Sequence, residues 1–224
     1  MSMEPIVLAT ANPHKVEELR AIFAGDGLAI VGLSELPGFP FPEPDETGAT
    51  FEHNAAIKAR AYALLTGRLC LADDSGIEVG VLSGAPGVIS SHYSTDGRET
   101  GLTRDQRDQA NNERLLRELD GVLPEQRTAR FVCSMVLCRS VGKSTTEILA
   151  TTSGEFQGRI GLPGDVPRGE NGFGYDPLFL VPPQFNATSA QLSPERKNQL
   201  SHRAVAARAM AERIKVLLEQ AAPH

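Results

Sequence analysis

Arg68-Leu69-Cys70-Leu71-Ala72-Asp73-Asp74-Ser75-Gly76 is the stretch on which the reading of this chain turns. The apolar run up to Ala72 reads as a short buried strand, and Asp73 and Asp74 are expected to terminate it. In open α/β sheets ligands collect beyond the carboxyl ends of strands, so this is where a hard cation would sit. Adjacent carboxylates repel each other unless they are solvated, protonated or bound to a cation. Mg²⁺ takes oxygen ligands, with one or two protein carboxylates completed by phosphates and water. Asp-Asp-Ser-Gly is also ordinary turn chemistry, and taken alone it leaves both readings open.

Outward from this stretch, helical and strand-like segments interleave. Ile6–Ala9 is a short apolar strand, and Thr10-Ala11-Asn12-Pro13-His14-Lys15 turns out of it into a helix from Pro13 to Phe23, with proline tolerated in the first turn. A second strand is expected over Leu28–Leu33, and Pro37–Pro44 reads as a surface loop. Thr50 reads as the N-cap of a helix from Phe51 to about Leu65 that carries Asn54, Lys58 and Ala61 on one face. Beyond Asp74, Ile77–Leu82 reads as a strand, followed by a Gly/Pro loop at Gly84–Gly87. The polar stretch 95–112 resists assignment and runs into a helix ending near Leu119. Ala129–Cys138 and Ser144–Phe156 read as an antiparallel pair. Seven glycines between Gly154 and Gly174 imply a shaped or a flexible loop. Pro177–Val181 reads as a strand. Ser201 is expected to cap a final helix to Gln220 that buries Val205, Ala209, Ile214, Leu217 and Leu218. The interleaving with one hairpin predicts a mixed α/β sheet.

Composition bounds the function. The 224 residues suit one substantial core, and 41% hydrophobic with 22% charged residues is ordinary for a globular protein. A formal charge of −6 argues against a nucleic-acid-coating surface, although not against a local basic pocket for one nucleotide. No apolar run approaches the length of a membrane span, and Met1-Ser2-Met3-Glu4-Pro5 lacks a basic leader region, so a cytoplasmic protein is expected. Cys70, Cys133 and Cys138 lie in apolar segments with no metal-binding spacing and read as buried, reduced thiols.

Several segments have parts that suit a nucleotide. The 10–15 turn joins a strand to a helix, where free amides and the helix dipole favour phosphate, and Lys15 adds a charge; the P-loop pattern is absent, and a plain turn reads as well. Asp45-Glu46-Thr47-Gly48 precedes a helix and could supply a second metal carboxylate or simply complement the dipole. Gly172-Phe173-Gly174-Tyr175-Asp176-Pro177 offers a ring to stack on a purine and a carboxylate to read its edge, or else a strand entry with a buried Phe. Lys197, His202 and Arg203 are basic groups that an anion would offset, as would plain solvation.

Together these segments resemble the inosine triphosphate/XTP–dITP pyrophosphatase family. Its carriers run in family order: 8–15, 46–55, 71–76, Gly84-Ala85-Pro86-Gly87-Val88, 172–177, and Lys197 with Ser201-His202-Arg203. The resemblance implies one domain over 1–224, an α/β fold with a long mixed sheet flanked by helices and two lobes around a central cleft. It implies Mg²⁺-dependent hydrolysis of inosine, deoxyinosine and xanthosine triphosphates to monophosphate and pyrophosphate, in a homodimer. Carried over by motif, Thr10, Ala11, Asn12, Pro13, His14 and Lys15 would bind the triphosphate. Asp74 would be metal ligand and proton acceptor, with Glu46, rather than Asp45, the second metal carboxylate. Ser75 would touch substrate. Phe173, Gly174, Tyr175 and Asp176 would hold the base, with Lys197, His202 and Arg203 closing the pocket. The role of 95–112 is open. A Maf-like pyrophosphatase of modified pyrimidine nucleotides and a non-catalytic nucleotide sensor are the competing readings.

Overall fold

The computed structural model describes residues 4–221; Met1-Ser2-Met3, which opens the leader reading, and the side chain of His14 fall outside the described residues. β1 (Ile6–Leu8) runs parallel to β2 (Ile30–Gly32) on one side and to β3 (Cys70–Val79) on the other. β4 (Thr128–Ser140), β5 (Thr146–Ile160) and β6 (Phe179–Leu180) complete a sheet of order β2-β1-β3-β4-β5-β6. The neighbours β4 and β5 are joined by residues 141–145 alone, too few for a parallel crossover, and β6 is antiparallel to β5. The mixed α/β sheet read from the sequence is therefore found. Among the described residues five α-helices accompany it: α1 (Pro13–Ala24), α2 (Phe51–Thr66), α3 (Arg104–Glu118), α4 (Pro194–Leu200) and α5 (His202–Ala221).

The chain forms two compact units. One holds the residues up to Asp74, 133–154 and those from His202 on; the other holds 75–132 and 155–201. In the first, strand alternation sorts the core into two layers. Ile6, Leu8 and Leu71 pack with Leu19 and Phe23 of α1 and with Ala206, Ala207, Met210, Ala211 and Ile214 of α5. Val7, Ala9, Cys70 and Ala72 pack with Ala55, Ala59, Tyr62 and Ala63 of α2. α2 begins where the sequence places it, because the Thr50 hydroxyl accepts from the His53 N–H, and it ends at Gly67, whose φ of 66° suits glycine.

β3 corrects the first expectation. Asp73 and Asp74 do not end the strand, which runs on through Ser75 and Gly76 to Val79. Each carboxylate has a cation beside it, so neither has to leave the sheet for water. Ile77–Leu82 is accordingly not a separate strand: Ile77–Val79 closes β3 and Gly80–Leu82 is a 3-10 turn.

α5 corrects a second. Its buried stripe is Ala204, Ala206, Ala207, Met210, Ala211 and Ile214, while Val205 and Leu218 are exposed, as is Ala209. The reason is close approach. A Cβ on Gly154 of β5 would overlap the His202 carbonyl and come within 2.6 Å of the Ala206 nitrogen, so the first turns of α5 lie with their backbone close against β5, where a small side chain such as Ala206 suits. A separate helix, α4, precedes α5, and Ser201 is its C-cap.

The second unit has its own core, with Ile77, Val79, Tyr93, Leu115, Leu119, Phe131, Phe156, Ile160, Tyr175, Leu178 and Phe179. The 95–112 stretch resolves into the end of a 3-10 segment (Gly87–Thr95) and into α3, which Thr103 opens with a capping box to Gln106. Of Pro177–Val181 only Phe179–Leu180 is strand. Arg127 lies 1% exposed and donates to the carbonyls of Leu119 at 2.7 Å, Gly161 at 2.9 Å and Ile160 at 3.1 Å. All three cysteines are buried free thiols, as expected.

Candidate active site

The alternation of β3 sends its two carboxylates to opposite faces of the sheet. Asp73 shares the parity of Leu71 and meets the α1 and α5 side, where its Oδ2 lies 3.0 Å from Lys15 Nζ and 3.3 Å from Arg203 Nε. Arg203 also pairs with Glu18 of α1. Burial pushes the Asp73 carboxyl up, but the Lys15 and Arg203 charges outweigh it and hold the group far below the usual carboxylate range. Arg203 is held charged in return, because Asp73 and Glu18 more than offset its own burial.

Asp74 shares the parity of Ala72 and meets α2. Its Oδ1 lies 3.0 Å from Lys58 Nζ, and the same ammonium is 2.9 Å from Glu46 Oε2. Asn54, one turn before Lys58, donates to Asp74 Oδ2 at 3.3 Å and accepts from the Gly48 N–H at 2.7 Å. A Cβ on Gly48 would lie 2.6 Å from that Asn54 oxygen, so the Thr47-Gly48 turn reaches α2 only because residue 48 has no side chain. Asn54 thus ties the Glu46 loop and Asp74 to one helix turn. Asp45 and Glu46 are both exposed, and it is the Glu46 carboxylate that reaches the Lys58 ammonium shared with Asp74. Burial raises the Asp74 carboxyl above its ordinary value against the pull of Lys58 and Lys15. Lys58 is held protonated, because Asp74 and Glu46 outweigh its burial.

Thr10, Ala11 and Asn12 span the gap between β1 and α1, and Pro13 is the first residue of that helix. The Thr10 hydroxyl accepts from the Asn12 N–H at 3.2 Å, which shapes the turn, and Ala11 and Pro13 are exposed. Lys15 is anchored by Asp73 as described, and Ser75 follows half-buried on β3.

In the second unit the 172–176 loop is built round Asp176. One of its oxygens accepts from Lys197 Nζ at 2.6 Å and from the Phe173 N–H at 2.9 Å; the other accepts from the Ser189 hydroxyl at 2.7 Å. A Cβ on Gly172 would lie 2.5 Å from Lys197 Nζ, and its φ of 90° also requires glycine. Phe173 is half-buried, with Lys197 Nζ 5.5 Å and the Arg104 guanidinium 4.5 Å from its ring centre. Tyr175 is buried and donates to the Ser90 carbonyl at 2.8 Å; burial raises its hydroxyl pKa. Gly174 donates to Asp108 at 2.8 Å and accepts from Asn112 at 3.0 Å.

Of the residues singled out in the sequence, Lys15, Asp73 and Arg203 form one cluster, Glu46 and Asp74 a second, and Phe173–Asp176 with Lys197 a third. His202, the first residue of α5, is buried. Sequence reasoning placed Asn54 and Lys58 on one helix face but gave them no part in the cluster they build. It gave no part at all to Arg104, Asp108 and Asn112, whose spacing of four along a polar helix was the available signal.

An α/β protein with two cation-bridged carboxylates beside a strand-to-helix turn, and a carboxylate-anchored aromatic loop, has the makings of a nucleotide-handling enzyme. The comparisons narrow the class: the chain matches the Ham1 family over residues 6–213, and it belongs to that family. It is 47% identical over 212 residues, 95% of this chain and 96% of the relative, to a dITP/XTP pyrophosphatase of Nitratidesulfovibrio vulgaris. A dITP/XTP pyrophosphatase of Geobacillus kaustophilus is 44% identical, with 91% of each chain covered. Among solved structures, a HAM1 protein from Coxiella burnetii superposes with a TM-score of 0.77 at 35% identity, covering 97% of this chain and all of that one.

Proposed function

We propose that this chain hydrolyses the non-standard purine nucleoside triphosphates ITP, dITP and XTP to monophosphate and pyrophosphate, clearing them from the nucleotide pool. The observation that carries the reading is the convergence of Glu46 and Asp74 on one cation position, with both carboxylates within 3.0 Å of the Lys58 ammonium. Relatives at 40–47% identity that are dITP/XTP pyrophosphatases support it.

The donor set fits Mg²⁺, since two neighbouring carboxylate oxygens are what that ion takes from a protein, leaving its other positions to phosphate and water. Glu46 and Asp74 would hold it, and it would neutralise triphosphate charge as the leaving pyrophosphate departs. The chain's own groups supply the rest. The 10–15 turn would bind phosphate oxygens through backbone N–H groups, with Thr10, Asn12 and Lys15 placed around them; His14 belongs to the same turn by motif, and Ser75 would meet substrate next to Asp74. Burial makes Asp74 the stronger base of the pair on β3, suited to accept the proton as water attacks the α-phosphorus. A bond then forms from water oxygen to phosphorus, the α–β bridge breaks, and pyrophosphate leaves with the bonding pair. Phe173 would stack on the base. Asp176, fully engaged by Lys197, Ser189 and the Phe173 N–H, would fix the loop that reads the 6-oxo group and N1–H. Lys197, His202 and Arg203 would close the pocket, with Arg203 acting from its anchor on Asp73. By family likeness residues 1–224 are one catalytic domain, and the protein is a cytoplasmic homodimer. Among the described residues no helix is long and apolar enough to cross a membrane.

The test is a turnover panel at neutral and alkaline pH with Mg²⁺, Mn²⁺ or EDTA, resolving pyrophosphate from orthophosphate. Pyrophosphate from ITP, dITP and XTP, little from ATP or GTP, and none in EDTA is the expected result. Orthophosphate release, or a preference for pyrimidines, would refute the reading.

A further inference from the structure

α3 carries three side chains at intervals of four, Arg104, Asp108 and Asn112, and all three touch one short loop. Asp108 accepts the Gly174 N–H at 2.8 Å, and Asn112 donates to the Gly174 carbonyl at 3.0 Å, so both polar groups of this glycine are held from the same helix. Arg104 lies over the neighbouring Phe173 ring at 4.5 Å. Gly174 has a φ of 62°, a turn conformation with no strand ladder to hold it, so its hydrogen bonds depend on these side chains.

The helix that provides them is itself fixed. Asn111, 2% exposed, donates to the carbonyls of Ser90 and Ser91 at 3.2 and 3.1 Å and accepts from the Ser94 N–H at 2.7 Å. Leu115 and Leu119 are fully buried beneath it. Tyr175 donates to the same Ser90 carbonyl, so the 87–95 segment braces the loop and the helix alike. The polar stretch that had no role in the sequence is therefore in direct contact with the loop that carries Phe173.

We propose that Asp108 is a positioning residue for the purine base: with Asn112 it clamps Gly174, and with Arg104 it sets the attitude of Phe173. The proposal rests on the activity proposed above. A loop held from α3 arrives ready-shaped, so its contribution is to affinity and to discrimination between bases, more than to the chemical step.

The test uses the full chain and the variants Asp108→Ala and Asp108→Asn, the second of which keeps an acceptor oxygen. Exposed Glu113→Ala, which follows Asn112 and whose carboxylate accepts from Gln109 at 3.0 Å, is the control. Amide exchange at Gly174 is measured without nucleotide, and KM and kcat are measured with ITP and ATP. In Asp108→Ala, Gly174 exchange accelerates and KM for ITP rises, each roughly tenfold for the loss of a hydrogen bond to a charged group, while kcat stays within about twofold. The preference for ITP over ATP falls. Asp108→Asn restores both readouts most of the way. Unchanged Gly174 exchange in Asp108→Ala overturns the clamp; faster exchange with unchanged KM and preference overturns the positioning role. A wild-type protein inert toward ITP refutes the proposed activity and the positioning role with it, whereas an active wild type with an indifferent Asp108→Ala overturns only the latter.

Discussion

Replacing Arg127 by methionine tests how the second unit is held together. The guanidinium is 1% exposed and spans three carbonyls, those of Leu119, Ile160 and Gly161, with donor distances of 2.7–3.1 Å. The Leu119 carbonyl, just past the end of α3, also accepts the Val122 N–H at 3.1 Å, while Ile160 is the last residue of β5 and Gly161 follows it. Methionine keeps much of the volume and removes every donor. Three buried hydrogen bonds lost from a charged donor cost about 1 kcal/mol each at the low end, or about 3 kcal/mol in all. At about 2–4 °C per kcal/mol for a chain of this size, Tm should fall by about 6–12 °C. Urea unfolding followed by circular dichroism gives the free energy, and hydrogen exchange should show faster opening around 119–127 and 160–161. Arg127→Lys, with one ammonium for three acceptors, should recover only part of the loss. A cost below about 1 kcal/mol, or complete rescue by lysine, would refute the claim that these three acceptors depend on a planar guanidinium.

Asp74→Asn should lower kcat for ITP by about 10²–10⁴-fold if the residue accepts the proton, with the fold retained by circular dichroism; near-normal turnover would remove it from the chemistry. Asp73→Asn should destabilise by about 3 kcal/mol at neutral pH, because it leaves Lys15 and Arg203 short of a buried partner. The folded Asp73 carboxyl is depressed, so its contribution is complete above the unfolded value of about 3.9 and fades as pH falls through that value toward the folded one. Urea titrations should therefore show a wild-type advantage that is flat from pH 8 to about pH 5 and narrows below about pH 4; an advantage that grows on acidification contradicts the assignment. Gly154→Ala should cost more than about 3 kcal/mol, since its Cβ has no room against the α5 backbone, and normal expression with an unchanged Tm would show that β5 and α5 can separate there.

Local signals carried well and non-local ones did not. The Thr50 cap, the span of α2 and the β4–β5 pair were legible because each is set by residues a few positions apart. The end of the strand at Asp73 was misread because charged residues usually leave a sheet; what keeps these two inside it are Lys15, Lys58 and Arg203, far away along the chain. The α5 stripe was read rightly at Ile214 and misread at Val205, Ala209 and Leu218, for the opposite reason. Large apolar side chains look buried and alanines look neutral, but Gly154 in β5 brings the start of α5 so close that alanines fill much of its buried face, with Met210 and Ile214 further along. Glu46 and Asp74 were named from a motif, and the sequence could not say that Lys58 and Asn54 join them. Asp108 and Asn112 have a spacing that marks one helix face, but a polar helix with no partner in view looks like a solvated one.

The sorting of Asp73 and Asp74 to opposite sheet faces has a consequence for how this segment tolerates change in length. Deleting one residue between Cys70 and Ala72 would exchange the environments of everything that follows on the strand. Asp74 would be handed to Lys15 and Arg203, and Ser75 would be left facing Lys58 and Glu46. A substitution here removes one partner from one cluster, whereas a single-residue deletion rewires both at once. Libraries built on this chain should therefore vary side chains along 70–76 and never the count of residues.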